Sequence, residues 1–188
     1  MSTLPIHEAA RDGDVEKLKQ LLKAQPSDVD LAGNWGWPPL IYAADYGHLQ
    51  VVKVLIEHKA TVDKATDNKA TALHYACTHG YAEMAAFLLD HGADVNKTEK
   101  DGTTALMFAV PCNRLTCVKL LLERKADTTD GYWQDRTALN IATEWKFDEI
   151  VSVLQFASTA APPPAPPAPA PRVEANSQAV SESTASAS

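Results

Sequence analysis

Thr71-Ala72-Leu73-His74-Tyr75-Ala76-Cys77 decides the fold, because the same seven positions return along the chain. They read Thr104-Ala105-Leu106-Met107-Phe108-Ala109-Val110 and Thr137-Ala138-Leu139-Asn140-Ile141-Ala142-Thr143 downstream, and Pro38-Pro39-Leu40-Ile41-Tyr42-Ala43-Ala44 upstream. The leucines Leu40, Leu73, Leu106 and Leu139 stand 33 residues apart each time, and a degenerate copy, Leu4-Pro5-Ile6-His7-Glu8-Ala9-Ala10, lies 34 residues before the second. A fixed period of this length marks stacked supersecondary units, each burying its apolar face on its neighbours.

Each copy has the grammar of a helix pair. Thr71, Thr104 and Thr137 sit where a helix N-cap hydroxyl is useful, and Pro5 and Pro39 suit a first helical turn. Ala9, Ala43, Ala76, Ala109 and Ala142 keep the first helix thin enough to lie close to its neighbours, and Gly13, Gly47 and Gly80 end it. The second helices supply repeating apolar columns: Leu18, Val52, Ala85, Val118 and Val151, then Leu21, Leu55, Leu88, Leu121 and Leu154. Apolar columns turn polar at both ends of the series, at Lys17 and Gln20 in the first copy and Gln155 in the last. A terminal repeat meets water on one face, so the stack is expected to be complete with five repeats. The spacing predicts helices over 5–12 and 15–23, 39–46 and 49–57, 72–79 and 82–90, 105–111 and 115–123, and 138–145 and 148–156. Turns are expected around 31–37, 64–70, 97–103 and 130–136.

The pattern resembles the ankyrin-repeat family, with its 33-residue unit and T-P-L-H-x-A signature. Gly47-His48-Leu49 and Leu88-Leu89-Asp90-His91-Gly92-Ala93-Asp94-Val95-Asn96 add to the likeness. The resemblance implies an all-α solenoid of five helix-pair repeats with hairpin-like turns over residues 1–157, the repeats at about 1–33, 34–66, 67–99, 100–132 and 133–157. It also implies that His7, His74 and His48 are structural. Some positions depart from the pattern. Pro111 should shorten or kink the first helix of the fourth repeat. Lys59 and Lys125 replace the glycine seen at Gly92, at about 1 kcal/mol each, and Asn113 stands where glycine is usual.

The charge is −7, of which residues 158–188 contribute −1. An acidic chain is a poor match for a nucleic-acid backbone or an anionic membrane. No apolar run approaches the ~18 residues of a membrane-spanning helix, and no signal peptide is expected at the N-terminus. Cys77, Cys112 and Cys117 fit no metal or redox spacing and are expected as reduced thiols in the cytoplasm, with the nucleus as a second location. No phosphate loop, catalytic serine motif or metal-binding helix motif is present, so neither enzyme activity nor a cofactor is expected.

The resemblance implies a partner-binding surface on the turn tips and the exposed side of the first helices. Mapped onto this chain it comprises Arg11 and Asp12; Asn34, Trp35, Trp37, Asp45 and Tyr46; Asp67, Asn68, Ala70, Thr78 and His79; Lys100, Asp101, Thr103, Pro111 and Cys112; and Trp133, Gln134, Arg136, Glu144 and Trp145. All four tryptophans fall in this set, and tryptophan, tyrosine and arginine are the usual interface anchors. The rival reading is packing: Trp37 against a neighbouring turn, Trp145 over the C-terminal edge of the core. The tryptophans come from the second and fifth repeats, so at roughly 10 Å per packed helix pair one ligand face could span about 30 Å. Asn96, with Leu88 eight residues before it, resembles the segment modified by an asparaginyl hydroxylase.

Residues 158–188 hold no aromatic residue and only Val173 and Val180 as large aliphatics, which predicts a disordered tail. Within it Pro162–Pro171 reads as an extended linker or as a ligand for an SH3- or profilin-type domain. The expected function is a monomeric, non-enzymatic adapter. The alternative is a regulatory inhibitor resembling the ankyrin inhibitors of cyclin-dependent kinases.

Overall fold

Apolar columns at a 33-residue period can be buried only by stacking, and the computed structural model, which describes residues 4–129 and 136–159, is such a stack. Ten α-helices occur among the described residues: α1 Pro5–Asp12, α2 Val15–Ala24, α3 Pro39–Asp45, α4 Leu49–Glu57, α5 Ala72–His79, α6 Ala82–Asp90, α7 Ala105–Ala109, α8 Leu115–Glu123, α9 Ala138–Glu144 and α10 Asp148–Thr159. In the layer of first helices α1 lies on α3, α3 on α5 and α5 on α7. In the other layer α2 meets α4, α6 meets α8 and α8 meets α10.

The five alanines sit where the first helices come closest, and each is 1% exposed or less. Leu18, Val52, Ala85 and Val118 are fully buried between the layers, while Lys17, Gln20 and Gln155 face solvent. The turns between repeats share one hydrogen-bond pattern. Gly33 N–H donates to the Trp37 carbonyl (2.8 Å), Thr66 to Ala70 (3.0 Å) and Glu99 to Thr103 (3.0 Å). Neighbouring tips are linked too, Asp67 N–H to the Trp35 carbonyl (3.0 Å) and Lys100 N–H to Asn68 (2.8 Å). The pairing goes no further than one isolated bridge, Thr98 with Thr104, among the described residues.

Pro111 has the expected effect: α7 stops at Ala109 and is five residues long, where α5 runs for eight. At the other end α10 runs to Thr159, three residues beyond the predicted 156. The threonine caps divide. Thr137 accepts from Asn140 N–H (3.3 Å), and Asn140 Oδ1 accepts from Thr137 N–H (3.0 Å). Thr104, expected to cap α7, instead has a buried hydroxyl without a hydrogen-bond partner, because Met107 stands where Asn140 and His74 supply a polar atom.

His74 shows what that polar atom does. Thr71 N–H donates to its Nδ1 (3.1 Å), which leaves the ring proton on Nε2 to donate to the Thr103 carbonyl of the next turn (3.2 Å). One ring thus caps its own helix and ties two repeats together. Burial pushes its pKa below the ordinary 6.5, so the neutral tautomer is the one the fold holds. His7 makes a similar tie, Nε2 to the Leu31 carbonyl (2.7 Å).

Candidate functional site

Among the described residues six non-glycine residues have positive φ: Trp35, Lys59, Lys69, Asn113, Lys125 and Lys146. Five of them fall on columns where another repeat carries glycine. Lys59 and Lys125 align with Gly92, Lys69 with Gly36 and Gly102, and Asn113 and Lys146 with Gly13, Gly47 and Gly80. The repeat geometry itself demands the left-handed conformation there. Trp35 (φ 55°, ψ 27°) aligns with Asn68 and Asp101, neither of them left-handed, so among the described turns its strain belongs to the second alone. A left-handed non-glycine residue costs roughly 1–2 kcal/mol. Such outliers persist where the surroundings over-determine them, often at functional sites.

That strain has a geometric result. The Trp35 ring stands 77% exposed at the tip, while Trp37, two residues on, turns inward. Trp37 is half-buried, with its ring centroid 5.2 Å from Tyr42 and 4.8 Å from Tyr75. The expectation that Trp37 is a free surface ring is therefore corrected: it packs between the first helices of its own and the next repeat. Trp35, Trp37, Thr66, Asp67, Asn68 and Tyr75 line a cleft of about 390 Å³ between the second and third tips. Gly36 gives this cleft its shape. A Cβ there would lie 2.4 Å from Asp67 Oδ1, so the missing side chain leaves room for that carboxylate against the backbone of the tip.

The other expected residues fall into separate groups. Asp45 accepts from His79 Nε2 (2.8 Å), and His79 stacks on Tyr81 (5.6 Å between centroids), joining the ends of two first helices. Tyr46 is 53% exposed beside them in sequence, and Trp145 is 50% exposed with Phe147 edge-on at 6.0 Å. Arg136 pairs with Glu144, and Lys100 is exposed at the fourth tip. Thr78 is half-buried, its hydroxyl donating back to the His74 carbonyl (2.8 Å), so that group is not offered outward. Thr103 is 2% exposed and leaves the surface set altogether: it fills the column of buried Ala70, and its carbonyl is the acceptor for His74. Trp133 and the Pro162–Pro171 segment lie outside the described residues. Asn96 is exposed, but its Oδ1 accepts from Asp127 N–H (2.8 Å), a link that an enzyme reaching its β-carbon would have to open.

Tyr75 was not legible as a site residue, because its column also holds Tyr42 and Phe108 and reads as packing. His48, Tyr81 and Arg114 form a further column, each ring or guanidinium lying over the glycine of the repeat before, Gly13, Gly47 and Gly80. His48 Nε2 donates to the Arg11 carbonyl (2.8 Å), and Arg114 Nε to the Thr78 carbonyl (3.0 Å). Their spacing of 33 residues was the available signal.

The described residues hold no group of three or more His, Cys, Asp or Glu side chains placed for a metal ion. Cys77 is fully buried, and its hydrogen bond with Cys117 together with burial raises its pKa well above the ordinary thiol value, which keeps it protonated and unreactive. No helix among the described residues is long and apolar enough to cross a membrane.

The sequence model for ankyrin repeats (three copies) matches residues 6–99 and 92–161. Among curated proteins, the chain is 38% identical over 69 residues to alpha-latrotoxin-Lh1a of Latrodectus hasselti, covering 37% of this chain and 5% of the toxin. It is 34% identical over 67 residues to the Homo sapiens NAD-capped RNA hydrolase NUDT12, covering 36% of this chain and 14% of that protein. It is 33% identical over 63 residues to the Homo sapiens ankyrin repeat and SAM domain-containing protein 3, covering 34% of this chain and 10% of that protein. The chain thus spans 5% to 14% of the length of these relatives.

Proposed function

We propose that this chain, which belongs to the ankyrin-repeat family, is a non-enzymatic adapter that holds a partner protein on its turn tips and first-helix layer. Ankyrin repeats generally mediate protein–protein interaction, and the family is typically non-catalytic; the surface used and the adapter role are our reading. The observation that carries it is Trp35: a 77% exposed indole, held in a left-handed conformation that the repeat does not require, at the mouth of a cleft. A large exposed aromatic costs solubility, and aromatic anchors over pockets are the usual energetic centres of interfaces. Tyr46, at the far end of the same repeat's first helix, and Trp145, in the fifth repeat, are further exposed aromatics of this layer. Three free thiols suit a reducing compartment, which supports placement in the cytoplasm or nucleus.

The test is positional photo-crosslinking. The full chain carries a photoreactive residue at Asn68 or Tyr46 on the proposed face, or at Gln50 or Lys119 on the second-helix layer, all four exposed. Crosslinks to one partner from the first pair and not the second are expected. The same partner captured only from Gln50 or Lys119 would move the interface to the opposite layer and overturn the proposal.

A further inference from the structure

The cleft beside Trp35 has a chemistry that selects among side chains of a partner. Its walls are three aromatic rings, Trp35, Trp37 and Tyr75. The Asp67 carboxylate lines the same cleft and lies against Gly36, the residue between Trp35 and Trp37 in the chain. Asp67 is fixed by its own N–H, which donates to the Trp35 carbonyl (3.0 Å), and it is exposed. Its carboxylate makes no ion pair or side-chain hydrogen bond among the described residues, although six other ion pairs form on this surface. The charges that act on Tyr75 are Asp45 and Glu99, both acidic, and no lysine, arginine or histidine lines the cleft. An anionic, aromatic-walled recess on a chain of net charge −7 is complementary to a cation.

Among cations, the arrangement favours one. A guanidinium is planar and stacks on an indole face while its edge donates to a carboxylate. Trp35 presents the open ring and Asp67 the acceptor. A lysine ammonium is a strongly hydrated point charge with no flat face to lay on the indole. A quaternary ammonium has no N–H, so it would leave the Asp67 oxygens without a donor. At about 390 Å³ the recess lies at the small end of ligand pockets, which run from ~300 to ~1,000 Å³, and suits one long side chain with the backbone on either side of it.

We propose that the cleft between the second and third turn tips is an arginine-recognition site, with the guanidinium stacked on Trp35 and hydrogen-bonded to Asp67. It deepens the interface reading and rests on it: the arginine belongs to the partner protein held on this face. Neither strain nor exposure is then incidental, since the left-handed Trp35 backbone is what swings one indole outward while Trp37 stays packed.

The experiment uses the full chain labelled with nitrogen-15, whose four tryptophan indole N–H signals are read by NMR. Trp35→Phe and Trp37→Phe variants assign two of them. The probes are three peptides alike except at the centre: acetyl-Gly-Arg-Gly-amide, its citrulline counterpart and its trimethyllysine counterpart. The arginine peptide should shift the Trp35 and Trp37 signals saturably, and citrulline, the neutral isostere, should bind at least tenfold more weakly. Asp67→Asn keeps the shape and should cost the arginine peptide about tenfold while leaving the unfolding midpoint unchanged. Raising the salt should weaken the arginine response, because the site is open to water. Equal shifts from citrulline, tighter binding of trimethyllysine, a response unaffected by Asp67→Asn, or no saturable shift at all would each overturn the arginine assignment. If crosslinks from Asn68 and Tyr46 still capture a partner in those cases, the interface stands and only its chemistry is wrong; if they come only from Gln50 or Lys119, the interface fails as well.

Discussion

Trp35 and Trp37 are two residues apart in one turn, yet the fold treats them oppositely. Trp37 leans on Tyr42 of its own repeat and Tyr75 of the next, and contributes to stacking. Trp35 packs on no ring among the described residues, is 77% exposed and holds a strained backbone. The contrast separates a residue the repeat needs from one it merely carries. Proximity in sequence and identity of side chain say nothing about which is which; the backbone angle does.

Substitutions at four positions break or sharpen that contrast. The largest effect is expected just behind Trp37, at the start of the helix that bears Tyr75. His74→Ala removes both the cap of α5 and the tie to Thr103, at about 3 kcal/mol in urea unfolding. His74→Asn should recover about half of this, since Asn140 makes the same cap in the fifth repeat but cannot reach a neighbouring turn. His74 also sets a pH dependence. Its folded pKa lies below the ordinary 6.5, so the unfolded chain binds the proton more readily. The stability it contributes is complete above pH ~6.5 and is lost as pH falls toward the folded value, at up to about 1.4 kcal/mol per pH unit. The difference between wild type and His74→Asn should shrink accordingly on acidification.

Trp37→Ala comes next. A half-buried indole between two tyrosines is worth about 2 kcal/mol, read as a lower unfolding midpoint. Lys125→Gly tests whether periodic left-handed positions carry strain as Trp35 does. Its φ is 63° in the column of Gly92, so glycine should stabilise by up to about 1 kcal/mol, with the unfolded-state entropy of glycine offsetting part of it. Smallest is Trp35→Ala, which should change stability by no more than about 0.5 kcal/mol.

Most of the fold was legible because it is periodic. The helix starts at Pro5, Pro39, Ala72, Ala105 and Ala138 follow from the repeated heptapeptide, and the early end of α7 follows from Pro111. What could not be read was anything that depends on one repeat differing from the next. Thr104 looks like Thr71 and Thr137, but whether its hydroxyl is satisfied depends on residue 107, and methionine has no strong acceptor to offer. Thr103 and Ala70, 33 positions before it, both looked exposed as tip residues and both are buried; the apolar side chain of Ala70 was the available sign of a buried column. Asp67 stood in the sequence among the mapped tip positions, and only the structure shows that its carboxylate lies against Gly36 in a cleft walled by Trp35, Trp37 and Tyr75.

The central claim is that Trp35, at the second tip, serves binding and not folding. The most direct test measures one variant twice: the unfolding midpoint of Trp35→Ala, and its affinity for the partner captured by crosslinking at Asn68. The account predicts an unchanged midpoint and an affinity loss of about thirtyfold, ~2 kcal/mol. An unchanged affinity, or an affinity lost only in step with the midpoint, would contradict it.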